Sequence, residues 1–217
     1  MNKGLIIKKT KEYVKKTLWG EATGHDWWHA WRVWKLAKRI AQKEGGDLFT
    51  IELAALLHDV EDWKFNGRKD SEINLAKKWL AEFGVDKKII SHVCHIIKNV
   101  SFKGAGVKNK IKTKEGKIVQ DADRLEALGA IGIARVFASS GYGGIEIYNP
   151  NIKPKLHKSF KEYKAFKTTA INHFYEKILL LKNRLNTKTA KKMAIQRHKF
   201  VEQFLDRFFK EWKRKDV

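Results

Sequence analysis

A histidine and an aspartate stand side by side at the end of an apolar run, as His58 and Asp59 in the stretch 54–62. Burying an imidazole beside a carboxylate is costly unless another group compensates them, and a bound cation can do so. Neighbouring residues of a helix point about 100° apart, so both side chains can approach one ion from adjacent directions. A single His-Asp pair often arises by chance, so its meaning depends on further ligands elsewhere.

His29 is the second candidate. It shares a 4-3-4 spacing with Val33, Leu36 and Ile40, which predicts that it lies on the inward face of a helix capped by Asp26. A lone histidine on such a face is more often a core residue than a ligand. A ligand role for His29 is therefore supported only in combination with the other candidate ligands.

Asp123 completes the set. It lies four residues after Val119 and four before Ala127, on the apolar side of a predicted helical segment at 117–138. An acid in a buried stripe is hard to explain by packing alone. Two imidazoles and two carboxylates from three helices can bind one divalent ion and leave positions for water and substrate, as metal-assisted hydrolysis requires.

Such hydrolysis also needs a group that handles protons. Asp62 follows His58 by four residues and Asp59 by three, so it is the best-placed carboxylate for the proton of an attacking water. His92 and His95 lie one turn apart on a predicted helix at 86–98 and could donate to a phosphate or a leaving group. The same spacing also fits a solvated helix edge.

Cations must also neutralise the phosphate oxygens. The predicted substrate-binding residues are Lys64, Arg32 and Lys103, in that order. Lys103 belongs to the segment 98–117, which carries seven lysines against one acid and is predicted to be a mobile basic loop. Such a loop can close over a polyphosphate, or it can be solvated surface that aids solubility.

The net charge of +22 favours nucleotides or nucleic acid as partners, but it is equally explained as a solubility feature, because 37 of the 46 basic residues are lysines rather than arginines. A single cysteine, Cys94, and a short apolar stretch at the amino terminus indicate a reduced, cytoplasmic protein without a secretory signal. Apolar runs are too short to cross a membrane.

The pattern predicts an all-α protein with one domain, 1–217. Only two prolines, both near residue 150, interrupt the chain, and apolar residues recur at helical spacing. Long scaffold helices are predicted at about 165–185 and 187–212.

The motif residues resemble those of the HD-domain metal-dependent phosphohydrolases, and the likeness extends over nearly the whole chain. It is carried by His25-Asp26-Trp27-Trp28-His29, Ala55-Leu56-Leu57-His58-Asp59 and Asp121-Ala122-Asp123-Arg124-Leu125, and it continues through Gly129-Ala130-Ile131-Gly132-Ile133-Ala134-Arg135 and Asn172-His173-Phe174-Tyr175-Glu176-Lys177. The resemblance implies a compact helical bundle that binds one divalent ion through His29, His58, Asp59 and Asp123. Manganese, iron, cobalt, nickel, zinc and magnesium are the candidate ions.

The resemblance also implies hydrolysis of phosphate esters or anhydrides. Nucleotides are the usual substrates, and sequences close to this pattern look like nucleoside triphosphate pyrophosphohydrolases. In related nucleotidases, an acid at the position of Asp62 assists the attacking water. Two alternatives stay open. One is a phosphodiesterase or phosphatase acting on another phosphorylated small molecule, and the other is a basic nucleic-acid-binding protein whose metal is structural.

Overall fold

The computed structural model describes residues 2–60, 74–165 and 168–215. Within these ranges the regular secondary structure is helical, which confirms the predicted all-α class. The helices are α1 (Lys3–Thr17), α2 (Trp27–Glu44), α3 (Leu48–Leu57), α4 (Asn74–Glu82), α5 (Lys87–Val100), α6 (Lys114–Glu126), α7 (Gly129–Tyr142), α8 (Phe160–Ala165), α9 (Ala170–Glu176) and α10 (Lys188–Trp212). None of the helices in the described ranges has both the length and the apolar character needed to cross a bilayer.

The contacts divide the chain into two compact units. The first unit comprises Met1–Glu21, His25–Ser101 and Asn109–Asp123, and the second comprises Ala22–Gly24, Phe102–Lys108 and Arg124–Val217. The assignment of 1–217 to a single domain stays a prediction.

Helix α3 is the centre of the first unit. All its residues from Phe49 to Leu57 are buried, and it packs against α1, α2 and α5. A helix that is apolar on every side must be covered on every side. Because α3 is enclosed, the turn of residues 58–60 that follows it also lies in the interior. His58 and Asp59 are therefore buried.

Helix α2 packs against α3 and carries His29 in its first turn. The Asp26 side chain caps it by accepting a hydrogen bond from the His29 amide at 2.8 Å, and Gly45, with φ of 80°, ends it. His29, Val33 and Ile40 are buried as predicted, whereas Leu36 is only half-buried. The inward stripe therefore begins with His29 in the first turn.

The apolar segment predicted at 117–138 is two helices rather than one. Leu128 is extended and Gly129 has φ of 76°, which ends α6 and begins α7. A side chain at Gly132 would collide with the backbone of Ala127, so the glycine permits the close approach of the chain at this break.

The prediction of one long helix at about 165–185 is wrong, whereas the helix predicted at 187–212 is confirmed as α10. Helix α9 ends at Glu176, and two 3₁₀ turns follow, Ile178–Leu180 and Lys182–Arg184. In a 3₁₀ turn, residues three apart share one side. This geometry buries both Ile178 and Leu181, which the sequence pattern alone does not distinguish from an α-helical stripe.

Candidate functional site

Four side chains of the first unit converge at one point. His29 comes from the first turn of α2, His58 and Asp59 from the turn after α3, and Asp123 from the last turn of α6. The first three are buried, and the Asp123 side chain is 25% exposed. These four residues are called the HD cluster below. The sequence predicted all four, and the structure brings them together.

The atoms of the HD cluster are spaced as ligands of one ion would be. His29 Nε2 lies 3.2 Å from His58 Nε2, 3.2 Å from Asp59 Oδ2 and 3.6 Å from Asp123 Oδ1. His58 Nε2 lies 3.4 Å from Asp59 Oδ2 and 3.9 Å from Asp123 Oδ1. Ligands about 2.1 Å from a metal lie roughly 3.0–3.4 Å apart in octahedral or tetrahedral geometry. Ligand atoms of His29, His58 and Asp59 thus form a group able to hold a metal ion.

Two hydrogen-bonding features of the cluster bear on metal binding. His58 Nδ1 lies 2.9 Å from the Ala55 carbonyl oxygen, so Nδ1 donates to it and Nε2 is the metal-facing nitrogen of the neutral ring. Asp59 Oδ2 is fully buried and accepts no hydrogen bond of ordinary geometry from the residues that the structure describes. A buried carboxylate oxygen of this kind is costly unless a cation or proton compensates it. The site therefore fits a divalent ion.

The electrostatics of the cluster indicate the same requirement for a positive charge. Burial alone would lower the pKa of His58, but the carboxylates of Asp59 and Asp123 and the Ala55 carbonyl outweigh it and raise this pKa to about 9. Burial would raise the pKa of Asp59, yet the neighbouring His58 and His29 hold it well below its usual value. In the metal-free protein a proton on His58 supplies the charge that a metal would replace.

The other predicted histidines have a different environment. His92 is half-buried, and its Nε2 lies 2.9 Å from Thr113 Oγ1 and 4.0 Å from Glu115 Oε2. His95 is exposed, and its backbone carbonyl accepts a hydrogen bond from the Asn99 side chain. These contacts attach His92 to the start of α6, and its predicted catalytic role, like that of His95, stays a prediction.

The predicted cationic residues that the structure describes belong to different units. Arg32 is half-buried on α2, one turn after His29. Lys103 belongs to the second unit, where its ammonium group lies 5.7 Å from the centre of the Phe160 ring. Asp62 and Lys64 lie outside the described residues. Their roles stay predictions.

The segment predicted as a mobile basic loop is shorter and has several contacts. Helix α5 continues to Val100 and α6 begins at Lys114. In the second unit the Gly106 amide donates to the His157 carbonyl at 3.0 Å. In the first unit the Asn109 side chain donates to Gln120 at 2.8 Å. The proposed closure over a substrate stays a prediction.

Sequence reasoning gave no role to His25, which contacts the cluster. Its ring meets that of His29 edge to face, with centroids 5.6 Å apart, and its charge contributes to the low pKa of Asp59. The sequence shows His25 four residues before His29, which is the spacing of neighbours on one face of a helix. However, His25 precedes the Asp26 cap, so helical spacing could not predict this contact.

Comparison with known proteins supports the interpretation of the motif. Residues 27–128 match the model of the HD domain. The chain is 39% identical to the uncharacterized protein YpgQ of Bacillus subtilis (strain 168), over 91% of this chain and 89% of YpgQ.

Solved structures are similar over nearly the full length. The crystal structure of an HD-superfamily hydrolase from Bacillus thuringiensis is 44% identical, covers 98% of this chain and 99% of its own, and has a TM-score of 0.73. The structure of B. subtilis YpgQ in complex with ADP is 34% identical, with coverages of 94% and 97% and a TM-score of 0.71. These likenesses confirm the predicted hydrolase class. The chain belongs to the HD-domain family.

Proposed function

We propose that this protein is a divalent-metal-dependent phosphohydrolase that cleaves a phosphate ester or anhydride bond of nucleotides. The observation that carries the proposal is the convergence of His29, His58, Asp59 and Asp123 at distances of 3.2–3.9 Å between the measured ligand atoms. Two imidazoles and two carboxylates suit Mn²⁺, Fe²⁺, Co²⁺, Ni²⁺ or Zn²⁺ better than Ca²⁺, and Mg²⁺ is a further candidate ion.

When bound, a divalent ion supplies a water of lowered pKa and an electrophile for a phosphate oxygen. The surrounding residues would orient and complete the site. The Ala55 carbonyl fixes the ring of His58, so Nε2 stays directed into the cluster. Asp62, by its position in the sequence, would take the proton of the attacking water. Arg32 and Lys64 would neutralise phosphate charge, whereas the same role for Lys103 rests on the sequence alone.

Two observations support a nucleotide as substrate. The related YpgQ was solved with ADP bound, at 34% identity to this chain. In addition, the net charge of +22 favours a polyanionic substrate by raising its local concentration. Within this class, nucleoside triphosphate pyrophosphohydrolase and nucleotidase activities are the two specific proposals.

The test is a panel of nucleoside mono-, di- and triphosphates incubated with each of the six ions, reading phosphate and pyrophosphate separately. Pyrophosphate release from triphosphates identifies a pyrophosphohydrolase, whereas phosphate release from monophosphates identifies a nucleotidase. Asp59→Ala is the control for a contaminating enzyme. If no nucleotide is hydrolysed with any ion, or if Asp59→Ala retains the activity, the proposal is wrong.

Chelation separates this proposal from a nucleic-acid-binding protein with a structural metal. A catalytic site predicts that EDTA removes activity while far-UV circular dichroism stays unchanged, because α3 and α10 are held by apolar packing. Loss of helicity on chelation would instead favour a structural ion.

A further inference from the structure

Gln120 is a buried polar side chain on α6, one turn before Asp123. It is 1% exposed, and the nearby helix residues Ile118, Val119 and Ala122 are fully buried. Positions three residues apart on a helix lie about 60° apart around the axis and about 4.5 Å along it, so Gln120 and Asp123 share one side of α6. An amide at such a position costs free energy unless its oxygen and its nitrogen both have partners.

Both ends of the Gln120 amide have such partners. Its oxygen accepts a hydrogen bond from Asn109 Nδ2 at 2.8 Å, and its nitrogen donates to Asn109 Oδ1 at 3.2 Å. The same nitrogen lies 3.2 Å from the carbonyl oxygen of Val100 and 3.4 Å from that of Asn99. These carbonyls belong to the last turn of α5, where a helix has no internal donors to offer them. Gln120 therefore joins α6 to the end of α5 and to the segment that contains Asn109.

The Asn109 side chain is itself fixed. Its Oδ1 also accepts from the Ile111 amide at 3.0 Å, as in an Asx turn. Ile111 is buried, so this turn is attached to the interior of the first unit. Two side-chain amides that each donate and accept define a direction as well as a distance. The Asn109–Gln120 pair can therefore hold α6 at one position along its axis.

Asp123 requires an accurate position of α6. Its Oδ1 lies 3.6 Å from His29 Nε2 and 3.9 Å from His58 Nε2. A shift of α6 by one residue moves each side chain about 1.5 Å along the axis and about 100° around it, which would carry the Asp123 carboxylate away from both nitrogens. Apolar contacts are non-directional and resist such a shift weakly, whereas hydrogen bonds weaken steeply when their geometry changes.

We propose that Gln120, together with Asn109, is a positioning residue that holds α6 so that Asp123 can bind the metal ion. The inference rests on the proposed metal site, and it assigns a role to a side chain outside the HD cluster. Glu115 also anchors α6, because it accepts from the Asp47 amide, but it lies about 12 Å from Asp123 along the axis. Gln120 is the nearer anchor, at about 4.5 Å.

Gln120→Met tests the proposal, because methionine has a similar length and cannot replace the hydrogen bonds. Titration of the EDTA-stripped protein with Mn²⁺ should show an affinity lowered by about 10–100-fold, the usual loss when a partner behind a metal ligand is removed. Far-UV circular dichroism should stay unchanged. Asn109→Ala removes only the amide pair from an exposed position, so it should fold and lower the affinity by a smaller factor.

The matched control is Thr10→Val, which removes a buried hydrogen-bonding side chain elsewhere in the first unit. Thr10 is fully buried on α1, and its hydroxyl accepts from Trp79 Nε1 at 3.0 Å. Urea denaturation should show that this variant and Gln120→Met are both less stable than the parent, since each leaves a polar group without its partner. Only Gln120→Met should bind Mn²⁺ more weakly.

A double variant separates positioning of Asp123 from a general loss of stability. If Gln120 acts through Asp123, Gln120→Met should have no further effect on Mn²⁺ affinity in the Asp123→Ala background, because the effects of coupled residues are not additive. Fully additive losses, or a folded Gln120→Met with parental affinity, would overturn the proposal. If Gln120→Met does not fold, parental affinity in Asn109→Ala would overturn it. Parental affinity in Asp123→Ala would instead refute the proposed metal site itself, and the role of Gln120 with it.

Discussion

Among the described residues of the first unit, two groups that combine imidazole with carboxylate have different surroundings. In the HD cluster, side chains from three helical regions meet in the interior, and Asp59 Oδ2 accepts no hydrogen bond from the described residues. In the second group, His92 Nε2 contacts the Thr113 hydroxyl at 2.9 Å, and Glu115 Oε1 accepts from the Asp47 amide at 2.9 Å. The second group is half-exposed and has partners within the protein.

The comparison shows that residue type alone does not identify a metal site. Both groups combine imidazole with carboxylate. Buried polar atoms normally have partners, so an unsatisfied carboxylate oxygen beside two imidazole nitrogens indicates a group that the polypeptide does not supply. Glu115, by contrast, holds the start of α6 near α3 through the Asp47 amide, which is a structural task.

The largest expected effect comes from removing a residue of the HD cluster. His58→Ala or Asp59→Ala should abolish stoichiometric metal binding and hydrolysis, because each removes a predicted ligand. Loss of an outer-shell partner already weakens metal affinity 10–100-fold, so loss of a ligand should exceed about 100-fold. Metal analysis and circular dichroism measure the two quantities, and helicity should persist. Stoichiometric metal in Asp59→Ala would remove Asp59 from the site.

The next effect concerns Asp62. If this residue takes the proton of the attacking water, Asp62→Asn should retain metal and substrate affinity while turnover falls by about 10²–10⁴-fold. The kinetic constants kcat and KM measure this directly, with metal content as the control. Turnover within about threefold of the parent would exclude a proton-transfer role.

Proton competition should make metal binding depend on pH. A metal must displace the proton of His58, whose pKa is raised to about 9, so apparent affinity should fall by up to about tenfold for each unit below pH 9. Titration of EDTA-stripped protein between pH 6 and 9 measures this slope. Affinity that is independent of pH over this range would contradict binding through His58 Nε2.

The stability of the metal-free protein should respond in the opposite direction. The stabilisation from protonated His58 is complete below its unfolded pKa of 6.5 and is lost as pH rises through about 9. The contribution of Asp59 is present above 3.8 and is lost only as pH falls through its lowered pKa. Urea denaturation of stripped protein should therefore show declining stability between pH 6.5 and 9, and Asp59→Ala should flatten this decline.

The smallest expected effect is at the second group. His92→Gln should leave metal affinity unchanged, because Thr113 and Glu115 are its contacts. A fall in turnover with metal retained would assign His92 the predicted role of donating to a phosphate or leaving group. Loss of metal would show that the distinction between the two groups is wrong.

The sequence was informative where local chemistry and helical period agreed. The inward position of His29 and the apolar stretch before His58 predicted their burial, and the apolar spacing at 187–212 predicted the long helix α10. The buried stripe at 117–138 indicated Asp123 as the fourth residue, and the family resemblance supported the same set. These features depend on a few neighbouring residues, so they can be read without tertiary structure.

Other features depend on contacts that spacing does not encode. The break between α6 and α7 required the conformation of Gly129, and the 3₁₀ turns after α9 have the same apolar residues that a helix would have. Helical spacing places His92 and His95 one turn apart whether they act on a phosphate or lie at a solvated helix edge. Only the packing of α5 shows that His92 faces Thr113 while His95 is exposed.

The position of a bound ion tests the central claim most directly. Anomalous diffraction from crystals of this protein grown with Mn²⁺ should show one peak within roughly 2–2.5 Å of His29 Nε2, His58 Nε2 and carboxylate oxygens of Asp59 and Asp123. A peak between His92 and Glu115, or no ordered peak at the HD cluster with Mn²⁺ in excess, would contradict the account.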